Sequence, residues 1–186
     1  EILETGANVA KNVTGYNLTQ LFTGSEGTLG IITEITFRLI PKPDKRLVTL
    51  CYFDSIIKAG RGVNNIINAL IVPATLDLLD RNTLKTIEKF NPTGLFEEQE
   101  AALLIEIDGS EAKIKEDNEK LFSILEKSGA IKIIQSKNEE ENENIWKTRR
   151  SAYACVTKLR PNAATEDVVV NRSKIVPLIE GIQKLS

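Results

Sequence analysis

The 186-residue sequence has no histidine, no methionine, two cysteines and one tryptophan. Each shortage excludes something. Without histidine the chain lacks the side chain best matched to proton removal near neutral pH. Without methionine, it is not expected to begin at a natural start. Cys51 and Cys155 stand alone and far apart, with no metal-ligand spacing and no disulfide framework, so a reducing, cytoplasmic setting is expected. No apolar run approaches the roughly 20 residues that span a bilayer, and no secretory signal pattern opens the sequence. Twenty-four basic residues against 26 acidic ones, interspersed and summing to −2, argue against nucleic acid as a partner. What is present, 41% hydrophobic and 27% charged residues, is the composition of a globular domain with a real core.

The stretch Gly24-Ser25-Glu26-Gly27-Thr28-Leu29-Gly30 runs straight into Ile31-Ile32-Thr33-Glu34-Ile35-Thr36-Phe37. The β-branched and aromatic residues after the glycines predict a strand from Ile31 to Ile40, ended by Pro41-Lys42-Pro43. The dinucleotide fingerprint of a Rossmann unit is spaced differently and opens a helix, so it is excluded. Three missing Cβ atoms let the main chain bend through φ > 0 and bring N–H groups close to a ligand, with the Ser25 and Thr28 hydroxyls facing the same space. A glycine-rich turn without a ligand would show the same spacing.

Residues 1–20 read as loop and turn, and the proline pair marks a boundary between residues 1–45 and 46–186. Beyond it strands and helices alternate. Strands are expected over Arg46–Phe53, Ala74–Asp80, Ala101–Asp108, Ala130–Gln135 and Glu166–Val170. Helices are expected after Ser55, over Arg81–Phe90, after Ser110, from Glu139 to about Leu159, and over Ser173–Leu185. Gly60 and Gly62 should weaken the first of these helices. The acidic run Glu139-Glu140-Glu141-Asn142-Glu143 suits a solvated helix start at the positive end of the dipole. The pattern predicts an α+β fold, a ferredoxin-like antiparallel sheet with helices packed on one face.

At 100° per residue, the helix from Glu139 places Ile145, Trp146, Arg149, Ala152, Tyr153 and Val156 on one face. Arg149 lies inside that apolar stripe, whereas Arg150 points to the polar side. A guanidinium facing a core needs a carboxylate. Glu166 or Asp167 could supply it from within, and the carboxylate of a small acid could supply it from outside, gripped by two hydrogen bonds.

The block Lys11-Asn12-Val13-Thr14-Gly15-Tyr16-Asn17-Leu18-Thr19-Gln20-Leu21-Phe22, followed by Gly24 to Pro43, resembles the FAD-linked oxidases of the vanillyl-alcohol oxidase and p-cresol methylhydroxylase superfamily. It is most similar to the branch holding D-lactate dehydrogenases, D-2-hydroxyglutarate dehydrogenase and the flavin subunit of glycolate oxidase. The resemblance implies that residues 1–45 end an FAD-binding domain, with Gly24, Ser25, Gly27, Thr28, Gly30, Ile31 and Ile32 along the cofactor. Residues 46–186 then resemble most of the substrate-side domain, built as a ferredoxin-like sheet. Trp146-Lys147-Thr148-Arg149 matches a Trp-x-x-Arg motif whose arginine binds the substrate carboxylate, which makes Arg149 and Tyr153 the expected substrate contacts. The stretch Thr165 to Ser173 matches as well, although Asn171 stands where many relatives carry proline. Relatives acting on dicarboxylates tend to have lysine where this chain has Thr165, which favours a monocarboxylate such as lactate or glycolate.

The function so implied is hydride transfer from C2 of a short 2-hydroxy acid to the flavin of FAD, in a larger enzyme of which this chain is a piece. No catalytic residue is expected within these 186 residues, because the family's histidines lie farther on. An electron-transfer partner subunit is possible for such an enzyme. The alternative from another class is a non-catalytic ferredoxin-like module that binds a partner chain or small ligand.

Overall fold

Two strands with almost no polar alternation form the middle of a four-stranded sheet: β1 (Lys45–Phe53) and β3 (Ala101–Gly109). Runs such as Val48-Thr49-Leu50-Cys51-Tyr52-Phe53 are apolar at nearly every position, as strands buried on both faces must be. They pair antiparallel with Leu50 opposite Leu104. β2 (Thr75–Asp80) adds to the free side of β3, and β4 (Lys132–Gln135) to the free side of β1, giving the order β2-β3-β1-β4. All three pairings are antiparallel, and the sheet is the ferredoxin-like one that the sequence pattern predicts.

The structure is a computed structural model and describes residues 2–95, 99–159, 162 and 164–185. The chain divides into two compact units, residues 1–41 and 42–186, and the sheet belongs to the second. On one face of the sheet, Cys51, Phe53, Leu103 and Ile105 pack with Ala59, Val63 and Ile66 of α2 (Ile56–Asn68) and with Leu121 and Leu125 of α4 (Glu111–Lys127). The other face is covered too. There Val48, Leu50, Tyr52 and Leu104 pack with Leu84 and Ile87 of α3 (Arg81–Phe90), Ile145 of α5 (Glu139–Arg150) and Ala152 of α6 (Ala152–Val156). Helices on one face alone would leave half of these apolar strands wet; β1 and β3 require both layers.

Each of the longer helices in that sandwich opens on a side chain that accepts an otherwise unpaired backbone N–H. Ser55 accepts from Ile57, Asp80 from Thr83, Ser110 from Lys113 and Asn138 from Glu141. The two α2 glycines are points of close approach. A Cβ on Gly62 would lie 3.3 Å from Leu103 Cδ1, and one on Gly60 would lie 2.9 Å from Ile179 Cδ1 of α7 (Ile175–Leu185). The helical propensity lost there is exchanged for contact with the sheet and with α7.

Three expected elements differ. Residues 31–40 form no strand: no described residue pairs with them, and Ile31 and Leu39 are about nine-tenths exposed. A strand exists only with a ladder partner, so β-propensity alone does not make one. Residues 166–170 are likewise without regular structure, with Val169 94% exposed. The long helix from Glu139 is interrupted at Ser151, whose hydroxyl donates to Thr148 O at 2.7 Å while its N–H is shared between the Lys147 and Thr148 carbonyls. That back-bonding marks the turn between α5 and α6, and beyond it Cys155 N–H reaches back to Ser151 O at 2.9 Å. The buried stripe runs Asn142, Ile145, Thr148, Ala152, Cys155.

Candidate functional site

Helix α5 suits its position electrically, with Glu139, Glu140 and Glu141 in its first turn and Lys147, Arg149 and Arg150 in its last. Its inner side meets the charged end of the second sheet face. Arg149 Nε–H donates to Asp77 Oδ2 of β2 at 2.8 Å, with the two side chains 34% and 29% exposed. One turn earlier the Trp146 indole N–H donates to a carboxylate oxygen of Glu106 on β3. Because Thr75 stands opposite Glu106 and Asp77 opposite Leu104, the two carboxylates are diagonal neighbours on the same face. The internal partner of Arg149 is thus Asp77. Glu166 and Asp167, the sequence candidates, are exposed residues of the irregular 164–170 segment.

This pair leaves most of the guanidinium unspent. Among the described residues Nη1 and Nη2 of Arg149 make no hydrogen bond. An ion pair that keeps a third of each side chain in water contributes about 1 kcal/mol or less. A planar fork with its end uncommitted is the group that grips a carboxylate through two parallel bonds. Tyr153 is less well placed than the helical-wheel reading expects. It follows the break at Ser151, is 59% exposed, and its hydroxyl makes no hydrogen bond among the described residues.

A second ion network flanks the first. Arg46 of β1 binds Glu139 and Glu143 of α5, the latter at 2.5 Å, and Glu143 also accepts from Arg150 at 3.2 Å. The acidic helix start is therefore a clamp for β1, and more than a solvated face. Hydrogen bonds from Arg46 hold the Glu139 and Glu143 carboxyls below their ordinary 4.5 and push the guanidinium up. A depressed carboxylate pKa contributes stability above the ordinary value and loses it as pH falls through the folded-state value. Arg46→Gln should accordingly melt below wild type at pH 7, with the gap closing as pH falls below about 4.5. Melting curves across pH 3–7 check this, and a gap independent of pH would show that Arg46 acts through packing.

In the first unit, α1 (Leu18–Phe22) is capped by Asn17, whose Oδ1 accepts from Gln20 N at 3.0 Å, and leads into the glycine-rich turn. Glu26 (φ 51°) and Gly27 (φ 78°) both lie in the left-handed region, and Thr28 N–H closes the turn on Ser25 O at 3.0 Å. Two positive φ values in succession define a primed turn, which favours glycine. Nothing lies within 4 Å of where a Cβ would stand on Gly24 or Gly27, so these glycines serve backbone conformation and leave the surface above them open. The N–H groups of Glu26, Gly27 and Leu29 make no backbone hydrogen bond among the described residues. The Thr28 hydroxyl donates to Ser25 O at 2.6 Å, closing its own turn instead of facing outward.

No group of three or more histidine, cysteine or acidic side chains is arranged to hold a metal among the described residues. No helix is long and apolar enough to cross a membrane, again among the described residues. Burial pushes the Cys51 thiol up to about 12, so it stays protonated and inert in the core.

A four-stranded antiparallel sheet with helices on both faces does not by itself define a function; comparison with known families gives the class. Residues 42–186 match the family of FAD linked oxidases, C-terminal domain, and the chain belongs to it. It is 40% identical over all 186 residues to glycolate oxidase subunit GlcD of Bacillus subtilis (strain 168), spanning 40% of that protein. It is 38% identical over 186 residues to the GlcD subunit of Escherichia coli (strain K12), spanning 37% of it. It is also 32% identical over 176 residues, 94% of the chain and 35% of the relative, to a probable mitochondrial D-lactate dehydrogenase of Danio rerio. The chain thus spans about two fifths of the length of these curated relatives. Among solved structures, an alkyldihydroxyacetonephosphate synthase shares the fold with a TM-score of 0.67 at 18% identity, over 94% of this chain and 37% of that one.

Sequence reasoning singled out Arg149 and the glycine turn but not Asp77, Glu106 or Arg46, which the structure ties to α5. A signal existed for two of them. Asp77 interrupts Leu76-Asp77-Leu78 and Glu106 interrupts Ile105-Glu106-Ile107, each a carboxylate flanked on both sides by apolar strand residues. Such a residue needs a partner, and both find it on α5, in Arg149 and Trp146.

Proposed function

We propose that the chain is part of an FAD-dependent oxidoreductase that oxidises a short 2-hydroxy acid of the glycolate or D-lactate type. The observation that carries this is Arg149, half-buried at the sheet face with the end of its fork unpaired among the described residues. In this reading Arg149 binds the substrate carboxylate and orients C2, and Tyr153 borders the same site. No proton-removing residue is placed within this chain.

A primed turn with open backbone N–H groups and no Cβ at Gly24 or Gly27 is a surface against which the phosphate or sugar of a nucleotide can lie. Gly24, Ser25, Gly27, Thr28, Gly30, Ile31 and Ile32 would hold it, with residues 1–45 ending the flavin-binding domain and residues 46–186 forming the substrate-side domain. When bound, FAD supplies the hydride acceptor. The exposed apolar residues of 31–40 are consistent with a segment that belongs in that domain's sheet. An electron-transfer partner subunit and a cytoplasmic setting complete the reading.

Anaerobic mixing of the full-length enzyme with glycolate or D-lactate should bleach its flavin absorbance; an unchanged spectrum with both would contradict the proposal. For the turn, Gly27→Val places a β-branched residue at a left-handed φ, which costs about 1–2 kcal/mol. FAD affinity of the full-length enzyme should fall roughly tenfold, at about 1.4 kcal/mol per factor of ten. Wild-type affinity in that variant, read by flavin fluorescence, would remove the turn from the cofactor site.

A further inference from the structure

We propose that Asp77 is a positioning residue for Arg149: by accepting the Nε–H it closes the side edge of the guanidinium and leaves the end edge, Nη1 with Nη2, to face a substrate carboxylate. The inference rests on the reading above, in which Arg149 is the carboxylate-binding group. A guanidinium presents two edges that match a carboxylate, the side edge formed by Nε with one Nη and the end edge formed by both Nη groups. Left alone on a flexible stem, Arg149 could offer either, in several directions. Asp77 removes that choice through one 2.8 Å bond to Nε from a carboxylate fixed on a strand.

The support beneath Asp77 is rigid. β2 pairs with β3 along its whole length, with Asp77 opposite the fully buried Leu104. Asp77 is two residues from Leu79, which points into the same core, and three from Asp80, which caps α3. The helix that carries Arg149 is tied to the same sheet a second time, through Trp146 and Glu106. Both ends of the Arg149–Asp77 contact therefore sit on elements tied to one sheet, and the direction of the fork is set by the sheet and α5 together. A pair worth little as a surface salt bridge then matters through geometry, because a misdirected binding group costs far more in turnover than in stability.

The test uses the full-length enzyme with D-lactate and glycolate. Asp77→Leu removes the acceptor while keeping similar bulk, and Asp77→Asn keeps an oxygen that can accept from Nε. Asp77→Leu should raise KM and lower kcat/KM by roughly tenfold or more, with FAD content unchanged, while Asp77→Asn stays within about threefold of wild type. Wild-type kinetics in both variants, whatever their melting temperatures, would overturn the proposal. So would a fall in KM in Asp77→Leu, since that identifies Asp77 as a competitor of the substrate carboxylate. If Asp77→Leu does not fold, Asp77→Glu replaces it. The added methylene displaces the guanidinium, so kcat/KM should drop several-fold below that of Asp77→Asn, and equality of the two would again overturn the inference. Arg149→Ala, measured in parallel, separates the two levels. A silent Arg149→Ala removes the carboxylate site itself and Asp77 with it, whereas a damaged Arg149→Ala beside a silent Asp77→Leu removes only the positioning role.

Discussion

Arg149→Lys in the full-length enzyme is expected to lower kcat/KM roughly ten- to a hundredfold while leaving the melting temperature nearly unchanged. Lysine keeps the charge but loses the planar fork, so the two-bond grip proposed for the substrate carboxylate would become a single, freely rotating contact. A hydrogen bond to a charged group contributes about 1.5–3 kcal/mol, and each 1.4 kcal/mol is a factor of ten in rate. Stability should be spared for a separate reason. The Arg149–Asp77 pair is about one third exposed on each side, and an ammonium on the same helix position can still approach Asp77. If Arg149 were purely structural the order would reverse, with a lower melting temperature and normal turnover in the folded fraction. Steady-state kinetics and melting on one preparation distinguish the two.

The largest loss of stability is expected from Leu104→Ala. Leu104 is fully buried on β3, opposite Leu50 of β1 on one side and Asp77 of β2 on the other. Its side chain belongs to the cluster that joins the second sheet face to α3, α5 and α6. Truncating a buried leucine removes its transfer free energy and leaves a cavity, together about 2–5 kcal/mol. Such a loss lowers the melting temperature of a domain this size by roughly 5–20 °C. Trp146 is the sole tryptophan of the chain and lies on the affected face, so urea unfolding followed by its fluorescence reports the change directly. A loss under about 1 kcal/mol would mean that α5 and α3 close over the cavity, the site being softer than its burial implies.

How much of this was legible in the sequence varies with what each feature depends on. The central strands and their capped helices depend on local pattern. Ser55, Ser110 and the apolar runs at 47–53 and 101–105 announce themselves, and the ferredoxin-like sheet follows. Residues 31–40 and 166–170 have equally strong β-propensity but no ladder partner, and a strand is a property of a pair. The helix break at Ser151 depends on which carbonyl one hydroxyl chooses, which no period reveals. Tyr153 and Val156, placed on the stripe by a helical wheel, are 59% and 38% exposed, and Cys155 is buried in it instead. Arg149 was legible as an arginine in an apolar stripe. Its partner was not, since Asp77 lies 72 residues away and only the register of β2 on β3 brings it there.

Everything proposed for the site turns on whether the end of the Arg149 fork reads a carboxylate. The most direct measurement compares kcat/KM for D-lactate and its neutral amide, D-lactamide, in wild-type full-length enzyme and in Arg149→Ala. The amide keeps the shape and the C2 hydroxyl but offers only one acceptor and no charge. Wild type should prefer the acid by on the order of a hundredfold, the worth of one to two charge-assisted hydrogen bonds, and Arg149→Ala should lose most of that preference by losing activity on the acid alone. An acid-to-amide ratio equally large in both enzymes would show that the carboxylate is read elsewhere and that Arg149 does no more than hold α5 to Asp77.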